Sequence, residues 1–251
     1  MITLKTGREL NLMKEACRIS ANALRLAGRA IEPGISTLEL DSIVRKYIEG
    51  EGAKPNFLGY GGFPASACIS LNDTVIHGIP DKNIILREGD IVSIDTGAVL
   101  NGYHGDNAAT FAVGKISDEA QSLLNATEES LYEAIRHAVP GGRLGDIGSA
   151  VDRYVTERGY SVVRDFVGHG IGTNLHEEPN VPNYGTPNRG VRLVAGMTLA
   201  IEPMVNAGTW KVKTLPDGWT LKTADQSLSA HFEHTVAITA NGPVILTQAD
   251  I

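Results

Sequence analysis

The chain carries a faint copy of itself displaced by 107 residues, and each copy ends an apolar run on a carboxylate. Leu86-Arg87-Glu88-Gly89-Asp90-Ile91-Val92-Ser93-Ile94-Asp95 aligns with Leu193-Val194-Ala195-Gly196-Met197-Thr198-Leu199-Ala200-Ile201-Glu202, so Asp95 falls on Glu202. Upstream, Pro33-Gly34 returns as Pro140-Gly141, Ser42 as Ser149, Val44 as Val151, Tyr47 as Tyr154 and Gly52 as Gly159. A duplicated α+β unit brings its equivalent apolar strands to a shared centre, and those strands deliver their carboxylates to the same place. His77-Gly78-Ile79 and His169-Gly170-Ile171 also look related. Their displacement is 92, so loop lengths must differ between the halves.

Three further residues extend the set. Asp106 follows Asp95 across Asn101-Gly102-Tyr103, a turn that folds the chain back as a hairpin and lets the two acids face each other. Glu233 interrupts the apolar stretch from Phe232 to Ile238, as Glu202 ends that from Leu199 to Ile201, and His169 stands between glycines. Taken singly, each acid reads equally as a strand-end residue facing water. Gathered in one interior pocket, four ionised carboxylates repel one another, whereas divalent cations neutralise them. The five residues together outline a two-metal hydrolase site.

A chain of 251 residues is long enough for one large core or two fused halves, and it reads as a single domain, 1–251, of two similar lobes, roughly 1–115 and 116–251. The net charge of −7, with scattered basic residues, argues against nucleic acid or an anionic membrane as partner. Two cysteines, Cys17 and Cys68, are too few for a disulfide framework and fit a reducing cytoplasm. Neither a signal-peptide core nor a membrane-length apolar stretch is present. Thr6 to Glu9 and Ser36 to Glu39 are capping boxes, each predicting a helix after it. Helical spacing predicts a third helix from about 118 to 138 and a fourth around Ile147 to Val155, so that four helices cover one face of a mostly antiparallel sheet. The segment 179–190, with three Pro and three Asn, reads as a surface loop.

Six ordered motifs resemble those of the type I methionine aminopeptidases, short bacterial form, over nearly the whole chain. They are Cys68-Ile69-Ser70-Leu71-Asn72 leading to His77-Gly78-Ile79-Pro80, Gly102-Tyr103-His104-Gly105-Asp106, Gly168-His169-Gly170-Ile171-Gly172, His176-Glu177-Glu178-Pro179, Ile201-Glu202-Pro203 and Phe232-Glu233-His234-Thr235. The resemblance implies the pita-bread α+β fold, with pseudo-two-fold lobes, and two divalent metal ions between them. It implies that Asp95 holds one ion through both oxygens, that Asp106 and Glu233 bridge the pair, and that His169 and Glu202 complete the other. Four carboxylates and one imidazole suit Fe(II), Mn, Co or Zn. A water between the ions is then expected to become the nucleophilic hydroxide, with Glu202 as proton shuttle. By the same resemblance, His176 donates to the scissile carbonyl, His77 contacts the substrate amide, and Tyr60, Phe63, Cys68 and Trp219 form the methionine pocket. The implied activity is release of the first methionine from nascent polypeptides when the second residue is small, by a cytoplasmic monomer working near the ribosome exit.

Some positions depart from that pattern. The chain has Gly61 and Phe63 where the family commonly has His and Tyr, Thr96-Gly97 after Asp95 where Val-Thr is usual, Leu175 where an aromatic precedes the substrate histidine, and His231 where Gln is usual. His104 reads as structural, and His234 should point away from the Glu233 face. His231, two residues before Glu233, should share that face. A relative cutting Xaa-Pro bonds uses the same five ligands, and a non-catalytic binding protein of this fold is the other competing reading. Intact ligands argue against the latter.

Overall fold

A computed structural model describes residues 1–251. Its helices begin where the capping residues put them. Thr6 and Ser36 precede α1 (Gly7–Arg29) and α2 (Thr37–Gly50), and in both boxes the cap hydroxyl and the glutamate three residues on satisfy each other's backbone N–H. Ser117 caps α3 (Asp118–Arg136), which stops short of the expected 138. There the N–H groups of His137 and Ala138 tighten onto carbonyls three residues back, and Pro140 keeps Val139 from continuing the helix. The fourth helix is α4 (Leu144–Thr156).

Between α2 and α3 run β1 (Lys54–Pro55), β2 (Ala67–Leu71), β3 (Thr74–Ile76), β4 (Ile91–Leu100) and β5 (Tyr103–Ala112). After α4 come β6 (Ser161–Val162), β7 (Gly168–Gly170), β8 (Glu177–Val181), β9 (Thr198–Ile201), β10 (Met204–Asn206), β11 (Val212–Thr214), β12 (Leu221–Thr223), β13 (Ser229–His231), β14 (Glu233–Thr239) and β15 (Gly242–Ile245). The central sheet has the order β1-β4-β5-β14-β9-β7-β8, with β2 added to β4 and β15 to β14, and all its pairings are antiparallel. Two small sheets, β13-β10-β6 and β11-β12-β3, flank it.

The β4–β5 hairpin closes on Asn101-Gly102 alone, both with positive φ (53° and 81°), the conformation that matches the twist of paired strands. Asp95 does not end its strand, as the apolar run suggested. Thr96 to Leu100 continue the ladder down to the hairpin, leaving Asp95 in mid-strand.

Sheet parity separates two environments. Gly105 and Asn107 of β5 turn toward α1, where Ser20 Oγ donates both to Asn107 Oδ1 and to the Thr96 carbonyl. Ile94 and Ala98 of β4 and Ile69 of β2 join the α1–α2 core, while α3 and α4 pack on Leu199, Ile201, Val236 and Ile238. Asp106 and Ala108 point to the opposite, helix-free face.

Positions 107 residues apart carry matching backbone geometry. Gly34 and Gly141 each donate to a carbonyl 52 residues on, Leu86 and Leu193, at 2.8 Å, and those leucines donate back to Ile35 and Gly142. Isolated bridges Ser36–Ile85 and Arg143–Arg192 repeat the relation.

The segment 179–190 is not wholly a surface loop. Its first residues belong to β8, paired with β7, and Asn183 is buried because its side-chain amide donates to the Glu202 carbonyl at 2.9 Å. Helix α1 crosses β5 so closely at Gly105 that a Cβ there would lie 2.5 Å from Cys17 Cα. Gly105→Ala should therefore destabilise the protein by about 2 kcal/mol or more, because backbone must move. Urea denaturation measures this, and a loss under about 0.5 kcal/mol, the range of a neutral surface change, would contradict the close approach.

Candidate metal centre

Strand register gathers the acids. Cys68 pairs with Asp95, Asp95 with Ala108, and Ala108 with Glu233, forming one row across β2, β4, β5 and β14 on the helix-free face. Glu202 follows Ile201, the partner of His234, and so continues that row beside Glu233. Asp106 lies two residues from Ala108 opposite Gly97, and His169 pairs with Ala200, two residues before Glu202. Asp95 and Asp106 are thus diagonal neighbours rather than directly opposed, with the small residues Ala108 and Ala200 in the same rows, while Gly97 admits the Asn56 side chain, which lies 2.4 Å from where its Cβ would be.

The resulting geometry is tight. Donor atoms of Asp106, His169 and Glu233 all lie within 4.8 Å of one another. Asp95 and Glu202 flank this group without belonging to it; Glu202 Oε1 is 3.7 Å and Asp106 Oδ2 3.9 Å from His169 Nε2. Glycines on both sides let His169 into this position, since a Cβ on Gly168 or Gly170 would lie 2.3 Å from the carbonyl of Ala200 or Glu178. His169 Nδ1 donates to the Gly170 carbonyl at 2.9 Å, so the neutral ring turns its Nε2 lone pair toward the carboxylates.

Burial dominates the electrostatics. It raises the Asp95 carboxyl to about 7, against a lowering influence of His231 and a further raising one of Glu202, and it raises Glu202 to about 8. Asp106 and Glu233 stand well above the carboxylate range, from burial first and then from the neighbouring acids. Burial also lowers His169 and His77 to about 4 and lowers His176. Asp95 Oδ1, Asp106 Oδ1 and Glu233 Oε1 are buried without any hydrogen-bond donor. Acceptor-only oxygens, a neutral imidazole lone pair and no protein cation among them fit divalent metal ions, with Asp95, Asp106, His169, Glu202 and Glu233 as the residues able to hold them.

All of the expected substrate residues line the same cavity, of about 190 Å3, as the four acids and the His169 imidazole. At roughly 30 Å3 per water, that is room for about six waters, or for one unbranched side chain. The pairing of Leu221 with Ile76 brings Trp219 and His77 together, with ring centroids 6.2 Å apart. Phe63 meets Trp219 edge-on at 5.2 Å, which makes Trp219 a cavity wall rather than an exposed loop aromatic. Tyr60, largely exposed at the rim, places its hydroxyl 2.7 Å from His176 Nδ1, and the His176 ring lies 4.2 Å from that of His169.

Of the remaining histidines, His104 bonds Asn56 Oδ1, and His234 bonds Thr247 on the far face beside Tyr132. His231 is buried with Nε2 3.7 Å from Glu202 Oε2. The sequence pointed to it only by its spacing from Glu233. Phe57 and Phe166 also line the cavity, with no pattern in the sequence to mark them.

The pattern of metallopeptidase family M24 matches residues 11–240. Methionine aminopeptidase 1 of Bacillus subtilis is 54% identical over 248 residues, 99% of this chain and all of that protein. Among solved structures, methionine aminopeptidase from Thermotoga maritima superposes with a TM-score of 0.97 at 47% identity, covering 99% of this chain and 100% of that one. Prolidase from Pyrococcus furiosus gives 0.79 at 26% identity, and there the match spans 66% of the prolidase chain.

Folded Asp95 and Glu202 titrate near 7 and 8 against ordinary values of 3.8 and 4.5, so over that interval the folded state binds more protons than the unfolded one. Stability due to them falls as pH rises. The buried histidines act oppositely, but only below their unfolded value of about 6.5. Chelator-treated protein should therefore show a lower urea midpoint at about pH 8.5 than at about pH 6.5, and saturating divalent cation should flatten the difference. A midpoint that rises over this interval would contradict the assigned shifts.

Proposed function

The chain belongs to metallopeptidase family M24 and removes methionine from protein N-termini, and we propose that it does so with two divalent cations held by Asp95, Asp106, His169, Glu202 and Glu233. The observation that supports this reading is the pair of adjacent rows, on the helix-free face, in which all five donors project into one small cavity. We further propose residues 1–251 as one catalytic unit, a second residue of small size in the substrate, and a nascent chain as its natural source. No helix is long and apolar enough to cross a membrane.

Bound divalent cations supply Lewis acidity that neutralises the carboxylates and makes water nucleophilic near neutral pH. The chain's own groups do the rest. The substrate side chain enters between Phe63, Trp219, Tyr60 and Cys68, where sulfur–aromatic contacts favour a thioether by about 0.3 to 1.5 kcal/mol each. Cys68 is wall rather than nucleophile, because burial and the nearby acids hold its thiol protonated. The Tyr60 hydroxyl lies 2.7 Å from His176 Nδ1; with the hydroxyl as donor, the ring proton stands on Nε2, where it would serve a developing oxyanion. His77, kept neutral by burial, is a second hydrogen-bonding group for the substrate amide. Glu202, in contact with the cavity and the metal-holding row, is placed to take a proton and return it to the leaving amine.

Hydrolysis of Met-Ala-Ser, Met-Leu-Ser and Ala-Pro-Ser, with Mn, Fe(II), Co and Zn added in turn to chelated protein, tests the assignment. Met-Ala-Ser should be cleaved, Met-Leu-Ser poorly and Ala-Pro-Ser not at all; a preference for Ala-Pro-Ser, or full turnover without metal, would refute it. His176→Ala should lower kcat by about 10² to 10³ and leave metal affinity nearly unchanged. An effect confined to KM would remove His176 from oxyanion stabilisation.

A further inference from the structure

The Glu202 carboxylate lies between two imidazoles. Its Oε1 is 3.7 Å from His169 Nε2, and its Oε2 is 3.7 Å from His231 Nε2. His231 is 1% exposed, and this nitrogen has no hydrogen-bond partner. A buried ring nitrogen is expected to have one.

Of the two carboxylates near His231, Asp95 and Glu202, only Glu202 brings an oxygen within 4 Å of that nitrogen. The His231 backbone is clamped to β5, because Thr110 Oγ1 both accepts the His231 N–H and donates to the His231 carbonyl at 2.9 Å, while Thr110 also bonds Ser93 Oγ. Glu202 is held at its own carbonyl by Asn183. With both backbones tied, only the side-chain torsions remain free. A separation of 3.7 Å exceeds an ordinary N–H···O bond by about 0.7 Å, so the bond requires rotation about a side-chain torsion. His231 also stands outside the compact donor group formed by Asp106, His169 and Glu233.

We propose that His231 is a positioning residue whose Nε2–H donates to Glu202 Oε2, fixing the carboxylate so that Oε1 is presented beside His169 Nε2 to a divalent cation. This rests on the reading that Glu202 and His169 hold that cation. A hydrogen bond to a ligating carboxylate limits its rotation and directs its lone pairs, and loss of such an outer partner weakens metal binding by about 10- to 100-fold.

Titration of chelated protein with Mn(II) by calorimetry, together with visible absorption of the Co(II)-loaded form, tests the role without reading activity. Glutamine can donate an amide N–H from this position and leucine cannot. His231→Gln should bind within about threefold of wild type with an unchanged Co(II) spectrum, whereas His231→Leu should bind about 10- to 100-fold more weakly. If the leucine variant does not fold, His231→Ala removes the donor with less crowding and carries the same expectation. A non-donating variant that binds like wild type overturns the proposal. So does a glutamine variant as weak as leucine, and a changed Co(II) spectrum in that variant would mark His231 as a direct ligand. Failure of wild type itself to bind a divalent cation would instead overturn the metal assignment beneath it.

Discussion

Four carboxylates share one interior row and its neighbour, and their mutual repulsion sets the terms for everything around them. Two unit charges 4 Å apart at an effective dielectric near 20 interact by about 4 kcal/mol, and donor oxygens of Asp106 and Glu233 lie within 4.8 Å of each other. In the metal-free protein all four acids hold their protons more tightly than exposed carboxyls do, because burial penalises their charged forms and, for Asp95, Asp106 and Glu233, the neighbouring acids add to it. Cations relieve the repulsion while leaving the oxygens ionised. The site is therefore a place where the fold stores an unfavourable arrangement that metal binding resolves.

The sheet makes this arrangement tolerable by dividing its two faces. Asn107 is next to Asp106 yet lies in the α1 interface, held by Ser20, and His234 is next to Glu233 yet bonds Thr247 beside α3. Helices pack the apolar side and supply the burial that stabilises the protein, so the polar side can be given over to small residues and acids. Ala108 and Ala200 matter there for what they lack, since larger side chains in the same rows would crowd the donors.

Around the donors, the second layer of contacts fixes orientation. Gly170 accepts from His169, Asn183 ties Glu202, the Tyr60 hydroxyl bonds His176 Nδ1, and Thr235 bridges both backbone groups of Asp106 through its hydroxyl. These residues come from separate segments, so misplacing one strand disturbs several contacts at once. Lys5 contributes from the N-terminal end, its ammonium 2.6 Å from the buried Glu177 carboxylate next to His176.

Much of this was legible in the chain itself. Capping boxes placed α1 and α2, Asn101-Gly102 placed the hairpin, and the repeat put Asp95 and Glu202 on equivalent strands, because caps, turns and alternation act over a few residues and leave local patterns. The family resemblance also named eleven residues that the fold brings to one cavity, Asp95, Asp106, His169, Glu202 and Glu233 among them. The sequence did not show that Asp95 is in mid-strand, that Asp95 and Asp106 sit diagonally, that Asn183 turns inward, or that Phe57 and Phe166 line the cavity. Nor did it assign His231 a partner. Those outcomes depend on register between strands distant in the chain and on which loops meet, and they are decided by packing of the whole protein, where no short run of residues carries the information.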